Sequence, residues 1–376
     1  MSVSSVALER VEQAIVPILN EHAARIDATA AFPTTTIEAL REAGLLGLVT
    51  DTRHGGLGGT PIDAARVVER VARHCGSSAM VLCMHYAGAL VLAAHGSDEV
   101  NQAVARGEHL STLAFSEAGS RSHFWAPGST ATADGDHVRL DARKSWVTSA
   151  NFATAYVWSS QPVAGEGAST IWLVPADAAG LTAGPRFDGL GLRGNDSTPV
   201  MAEGVRIPGA HRLGDDGAGF DVMMGVVLPA FNLMSAACSV GLMEGALQGA
   251  TTHVAGTGFA HLSGTNLRDL PTVRAYLAKS RIQADATRAF WEDALDAVGS
   301  GREDAMLRVL QVKAAAGDAA LDVVATCMRV CGGAAFRREV GVERRFRDAQ
   351  AASIMAPTSD VLYDFVGKAL TGMELF

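Results

Sequence analysis

Basic charge, aromatic residues and cysteine are all in short supply in this 376-residue chain. Lys and Arg total 31 against 40 Asp and Glu, a formal balance of −9, which excludes the basic surface a nucleic-acid binder needs. Phe, Trp and Tyr make up only 6% of residues, so the cores must be filled by small and aliphatic side chains that suit closely packed helices. The five cysteines, at 75, 83, 238, 327 and 331, are odd in number and show no C-x-x-C spacing. That excludes a disulfide framework or a zinc site and predicts reduced thiols in a cytoplasmic protein, with no metal. Glu9, Arg10 and Glu12 break any apolar core at the start, so no signal peptide is expected. Two windows without Asp, Glu, Lys or Arg, 74–97 and 222–243, are long enough to span a bilayer. Their histidines, Pro229 and Asn232 fit the middle of a helical bundle better, so no membrane partner is expected.

What is present changes texture twice. Residues 1–110 carry helical spacing, with helices expected over 3–25, 36–46, 61–74 and 78–94. A loop at 51–59, with Gly55, Gly56, Gly58 and Gly59, reads as a flexible connection, because no Lys-Ser/Thr closes it as a phosphate cradle. From Ser111 the period becomes two, in runs 128–133, 137–146, 155–159, 170–174 and 199–207. Asp134-Gly135 between the first two predicts a hairpin, and the set predicts a small sandwich or barrel. Helical spacing returns near 218 and holds over 220–254, 270–298 and 303–331. The expected fold is mainly α with a central β domain, divided as 1–110, 111–212 and 213–376.

Several motifs carry chemistry. Gly332-Gly333 follows an apolar helical run, and paired glycines present bare N–H groups of the kind phosphates require. Trp146 and Thr148, two apart on a strand, should share a face, which suits a flat ring on the indole with a hydroxyl at its edge. Downstream of the glycine pair come Val342-Glu343-Arg344, Arg347-Asp348-Ala349 and Ile354-Met355-Ala356-Pro357-Thr358. Here the chain resembles the acyl-CoA dehydrogenase superfamily, with its Q-I-x-G-G, V-E-R-x-x-R-D-A and I-Y-E-G-T runs. The run 113–122 is similar to its T-E-P-x-A-G-S, with Ser116, Glu117, Gly119 and Ser122 in register, and 144–150 to its K-x-W-I-T-N.

The resemblance spans the whole chain and implies an N-terminal α domain, a β-barrel and a C-terminal four-helix bundle. It also implies FAD between subunits of a homotetramer, a dimer of dimers. The flavin ring would meet Leu113, Phe115, Ser116, Ser122, Trp146, Val147 and Thr148. The diphosphate and adenosine would meet Arg329, Gly332, Gly333, Thr358 and Asp360 of a neighbouring chain. Substrate would meet Ser122, Asn232 and Ala356. One departure is chemically decisive: the superfamily's proton-accepting Glu is Ala356 here, and a methyl group accepts no proton. Pro229 and Asn232 stand where the superfamily holds the CoA arm, and the Arg of its R-x-x-F-G is absent around 256–261. His253, His261, Glu244 and Asp221 are the other titratable groups nearby, and none is assigned as a base. The first reading is an FAD oxidoreductase for an acyl thioester on CoA or a carrier protein, with an electron-transfer flavoprotein or oxygen as acceptor. Two alternatives stand beside it. One is a flavin monooxygenase or oxidase of a tailoring pathway; the other is a non-catalytic flavin-supporting subunit of a heteromer.

Overall fold

In the computed structural model, which describes residues 2–120, 123–261 and 264–375, helices hold both ends of the chain and strands the middle. The first helices are α1 (Val3–Arg10), α2 (Val16–Thr29), α3 (Thr34–Glu42), α4 (Pro61–Ala72), α5 (Gly76–His95) and α6 (Asp98–Ala105). The strands are β1 (Ser111–Ala114), β2 (Thr130–Asp134), β3 (His137–Val147), β4 (Ala155–Ser160), β5 (Thr170–Pro175), β6 (Leu181–Ala183), β7 (Thr198–Pro208) and β8 (Arg212–Leu213). Then come α7 (Gly219–Val222), α8 (Leu228–Gly256), α9 (Pro271–Ser300), α10 (Ala305–Cys331), α11 (Val342–Ala349) and α12 (Ser359–Thr371).

Local chemistry sets these boundaries. Thr60 caps α4 reciprocally with Asp63, and Pro61 takes the first helical position, where no N–H is needed. α5 and α8 are apolar all round because they lie inside the molecule, packed with α4 and α10. Their windows, long and apolar enough to cross a membrane, are mostly buried in the fold. Small residues let these helices touch: a Cβ on Gly241 would meet the Glu69 carbonyl oxygen at 2.4 Å, and one on Gly245 the Arg73 carbonyl oxygen at 2.2 Å. All five cysteines are free and buried.

The strands form two four-stranded sheets, ordered β1-β4-β5-β8 and β2-β3-β7-β6. The first is buried on both sides, so its strands read as continuous apolar runs. Leu113, Val157, Ile171 and Leu173 point into the helical core. Ala114, Tyr156, Trp158, Trp172 and Val174 point the other way, against Leu140, Val200, Val205 and Ile207 of the second sheet. The first sheet therefore forms the layer between the helices and the second sheet.

Two expectations are corrected here. Asp134 pairs with His137, so the hairpin turn is Gly135-Asp136, one residue later than expected. The glycine loop after α3 is tied down rather than a flexible connection: Leu57, Gly58 and Gly59 donate their N–H groups to the carbonyls of Gly47, Thr50 and Leu48. Those donors are spent on backbone, which also removes them as a phosphate cradle.

Candidate active site

The end of β3 is where the first group of expected contacts gathers. Ser145 N–H donates to the Ser116 carbonyl at 2.9 Å, tying β3 to the segment after β1. Beneath this contact lies a buried ion pair. Lys144 Nζ donates to Glu117 Oε1 at 2.6 Å, to the Ser159 carbonyl at 2.7 Å, to Ser159 Oγ at 3.0 Å and to Ser129 Oγ at 3.2 Å. It also lies 5.2 Å from the Trp158 ring centroid. Glu117 in turn accepts from the N–H groups of Gly128, at 2.7 Å, and Ser129. Burial opposes the Glu117 charge, but Lys144 and these donors hold its pKa below the usual carboxylate range. The pair thus clamps three segments around the bend that carries Trp146.

That bend alters the expected geometry. The β3–β7 register slips between Lys144 and Val147, and Trp146 has φ +57°, a left-handed conformation unusual for an aromatic residue. The indole is consequently 71% exposed, while Val147 and Thr148 turn inward and are buried. Trp146 and Thr148 therefore do not share a strand face as period two predicts, because the bulge and the strand end fall between them. Leu113 and Phe115 are buried in the helical core, Ser116 is half-buried, and the Thr148 carbonyl accepts from Thr112 Oγ1 at 2.7 Å. Ser122, expected on both flavin and substrate, lies outside the described residues.

The second group divides. Ala356 is half-buried between Met355 and Pro357, whose carbonyls accept from Lys313 Nζ at 3.0 and 2.7 Å. Thr358 caps α12, accepting from Val361 N–H, and Asp360 is exposed in its first turn. Trp125, on the segment leading to β2, packs on Phe365 of α12 with ring centroids 6.0 Å apart. Within one chain, the Ala356 loop and α12 therefore belong with the strand side. Gly332 and Gly333 lie at the far end of α10, roughly 28 Å beyond Lys313 by helical rise. Thr358 and Asp360 are thus far from the glycine pair within one chain.

At the far end, Gly332 has φ +58°, and a Cβ on either glycine would meet nothing within 4 Å, so the backbone is bare. Phe336 beside it is 89% exposed, and the Arg329 guanidinium lies 4.8 Å from the Tyr276 ring centroid. Asn232 is fully buried in α8 with both amide atoms unpartnered among the described residues.

Of the other titratable groups, Glu244 is committed to arginines and His253 is distant. Glu244 is bonded to Arg281 and Arg288, and the Arg281 hydrogen bond, against the effect of burial, brings its carboxyl down to about 2. His253 lies roughly 33 Å along α8 from Phe231. Two open clefts, of about 600 Å³ beside Phe32, Phe152 and Arg186 and about 560 Å³ beside Arg73, Gln248 and Arg281, share no lining residue with either group.

Sequence reasoning missed Lys313, which sits in an apolar helical run and whose partners are backbone carbonyls. It also passed over Lys144 and Glu117 as a pair; both lie inside the quoted motifs.

Comparison with known proteins gives the family. Residues 7–107, 112–205 and 217–371 match the N-terminal, middle and C-terminal domains of acyl-CoA dehydrogenase. The chain is 28% identical to the probable acyl-CoA dehydrogenase FadE25 of Mycobacterium tuberculosis over 93% of its own length and 90% of the relative's. Butyryl-CoA dehydrogenase from Megasphaera elsdenii shares the fold with a TM-score of 0.87 at 21% identity, covering 98% of this chain and 97% of that one. The prolyl acyl carrier protein oxidase AnaB does so with a TM-score of 0.87 at 18% identity, covering 97% and 98%. With all three domains matched in order, the chain belongs to the acyl-CoA dehydrogenase family of flavin-dependent oxidoreductases.

Proposed function

We propose that this protein is an FAD-dependent oxidoreductase acting on an acyl thioester, with the flavin held between two copies of the chain. Trp146, held outward by the Lys144–Glu117 clamp, would carry the ring, with Ser116 and Thr148 beside it. Gly332, at positive φ, and Gly333 of a second copy, both with bare backbone, would take the diphosphate. These features fit the group: one is a large exposed aromatic on a rigid bend, the other a glycine bend that no side chain fills. When bound, FAD supplies the capacity to accept a hydride.

The observation that carries the substrate reading is the loop around Ala356. Both flanking carbonyls turn toward Lys313, and the Ala356 N–H has no partner among the described residues. A half-buried N–H left free is suited to receive a carbonyl oxygen, and polarising a thioester carbonyl acidifies its α-carbon. The side chain there is a methyl, so the chain lacks a proton acceptor at that point.

A second reading follows from the same methyl. Glu117 is committed to Lys144 and Glu244 to arginines, so a reaction that removes no α-proton, a monooxygenase oxygen transfer or an oxidase acting at a C–N or C–O bond, also fits. The prolyl acyl carrier protein oxidase carries such a name on this fold, which supports the fold's capacity alone.

Ala356→Glu separates the two. Anaerobic bleaching of the flavin near 450 nm by a series of acyl-CoAs should accelerate about 10²-fold if the acyl group lies beside position 356. No acceleration with any chain length would contradict the thioester reading.

A further inference from the structure

Lys313 is the second buried lysine of the chain, and unlike Lys144 it forms no ion pair with a carboxylate among the described residues. Its ammonium is held by the carbonyls of Met355 and Pro357, with the Phe231 ring centroid 6.0 Å away and Cys83 the nearby titratable group. Burial brings its pKa down to about 7. An ammonium is costly to bury, so its place here calls for a task that two backbone carbonyls define.

Those carbonyls belong to the residues on either side of Ala356. In a trans peptide the C=O and the following N–H point in opposite directions. Turning the Met355 carbonyl into the bundle therefore turns the Ala356 N–H out of it, and the Pro357 carbonyl does the same for the next peptide. A second attachment of the same segment, Ser359 Oγ to Asp318 at 3.4 Å with Tyr363 also on Asp318, seats α12 independently of Lys313.

We infer that Lys313 is the positioning residue of the reaction loop: it draws the Met355 and Pro357 carbonyls into the bundle and so presents the Ala356 N–H on the opposite side, while the Ala356 methyl packs against the core. That this opposite side faces substrate rests on the reading of Ala356 given above; the clamp itself does not.

The test is residue-resolved hydrogen exchange on the assembled protein. Ile354, Met355 and Ser359 donate within the loop, to Ala351, Ala351 and Ser353, and report on its order. Lys313→Met keeps the length and apolar stem without the donors. It should speed exchange at these three amides at least tenfold while α8 and the rest of α10 stay within twofold. Lys313→Arg, which restores donors, should return them to within threefold of the parent. Unchanged loop exchange in Lys313→Met would overturn the inference, as would equal loosening of α8 and α10. So would a folded Lys313→Arg whose loop stays as labile as that of Lys313→Met. Because exchange is read without substrate, protein that fails to hold flavin would overturn the functional reading and leave this result standing.

Discussion

Replacing Lys144 with Met should loosen the Trp146 bend more than any surface change nearby. The Lys144 side chain is fully buried and that of Glu117 is 11% exposed, so Lys144→Met leaves a nearly buried carboxylate without its cation. Removing one member of a buried pair costs about 3–5 kcal/mol. Glu117 keeps the N–H groups of Gly128 and Ser129, which places the loss near the lower figure, about 3 kcal/mol. The Ser159 carbonyl also loses its ammonium donor, whereas the Ser159 hydroxyl can turn elsewhere. Glu117→Gln breaks the same pair from the other side by removing the negative charge, and in the double variant neither charge is stranded. Urea unfolding of the three variants, followed by tryptophan fluorescence, reads the effect locally, since Trp158 lies 5.2 Å from Lys144 Nζ. The double variant should be more stable than the summed single losses predict by more than about 1 kcal/mol. Additivity within about 0.5 kcal/mol would refute the clamp.

Trp146→Ala should change stability by less than about 0.5 kcal/mol, because the indole is exposed, yet weaken FAD binding to apoprotein roughly tenfold or more in a fluorescence titration. His85 donates to the Leu46 carbonyl and accepts from Ser111 N–H; burial lowers both it and His109 to about 4, below the ordinary 6.5. Both imidazoles are neutral in the fold, so their contribution is full above about pH 6.5 and is lost as pH falls toward 4. The loss is about 1.4 kcal/mol per pH unit for each histidine. Asp348, raised by burial to about 6, opposes one of these slopes below pH 6, so calorimetry should find a decline that sets in below pH 6.5 and is shallower below pH 6. His85→Gln should flatten that decline.

The architecture was legible because periodicity is a property of long segments. The helices over 220–331 and the strands from β3 to β5 all appear in the spacing. β6 and β8 were missed as strands because they span only three and two residues, too short for a period to show. The site was legible in its residue types more than in its geometry. A left-handed Trp146 leaves no mark in composition, since the bend is imposed by the Lys144–Glu117 clamp joining segments 27 residues apart. Lys313 was invisible for a related reason: backbone carbonyls carry no residue signature, so a lysine bound to them looks like a stray charge in an apolar run. Asn232, expected to meet substrate, is fully buried in α8, a fact that follows from packing and not from its polarity.

The most direct measurement is flavin content per chain across a size-exclusion profile, with mass by light scattering and FAD by absorbance near 450 nm after release. A flavin shared between the Trp146 bend of one copy and the glycine bend of another predicts about one FAD per chain in the multimer and none in dissociated monomer. Monomer that retains FAD, or a multimer that takes up none when FAD is supplied, would contradict it.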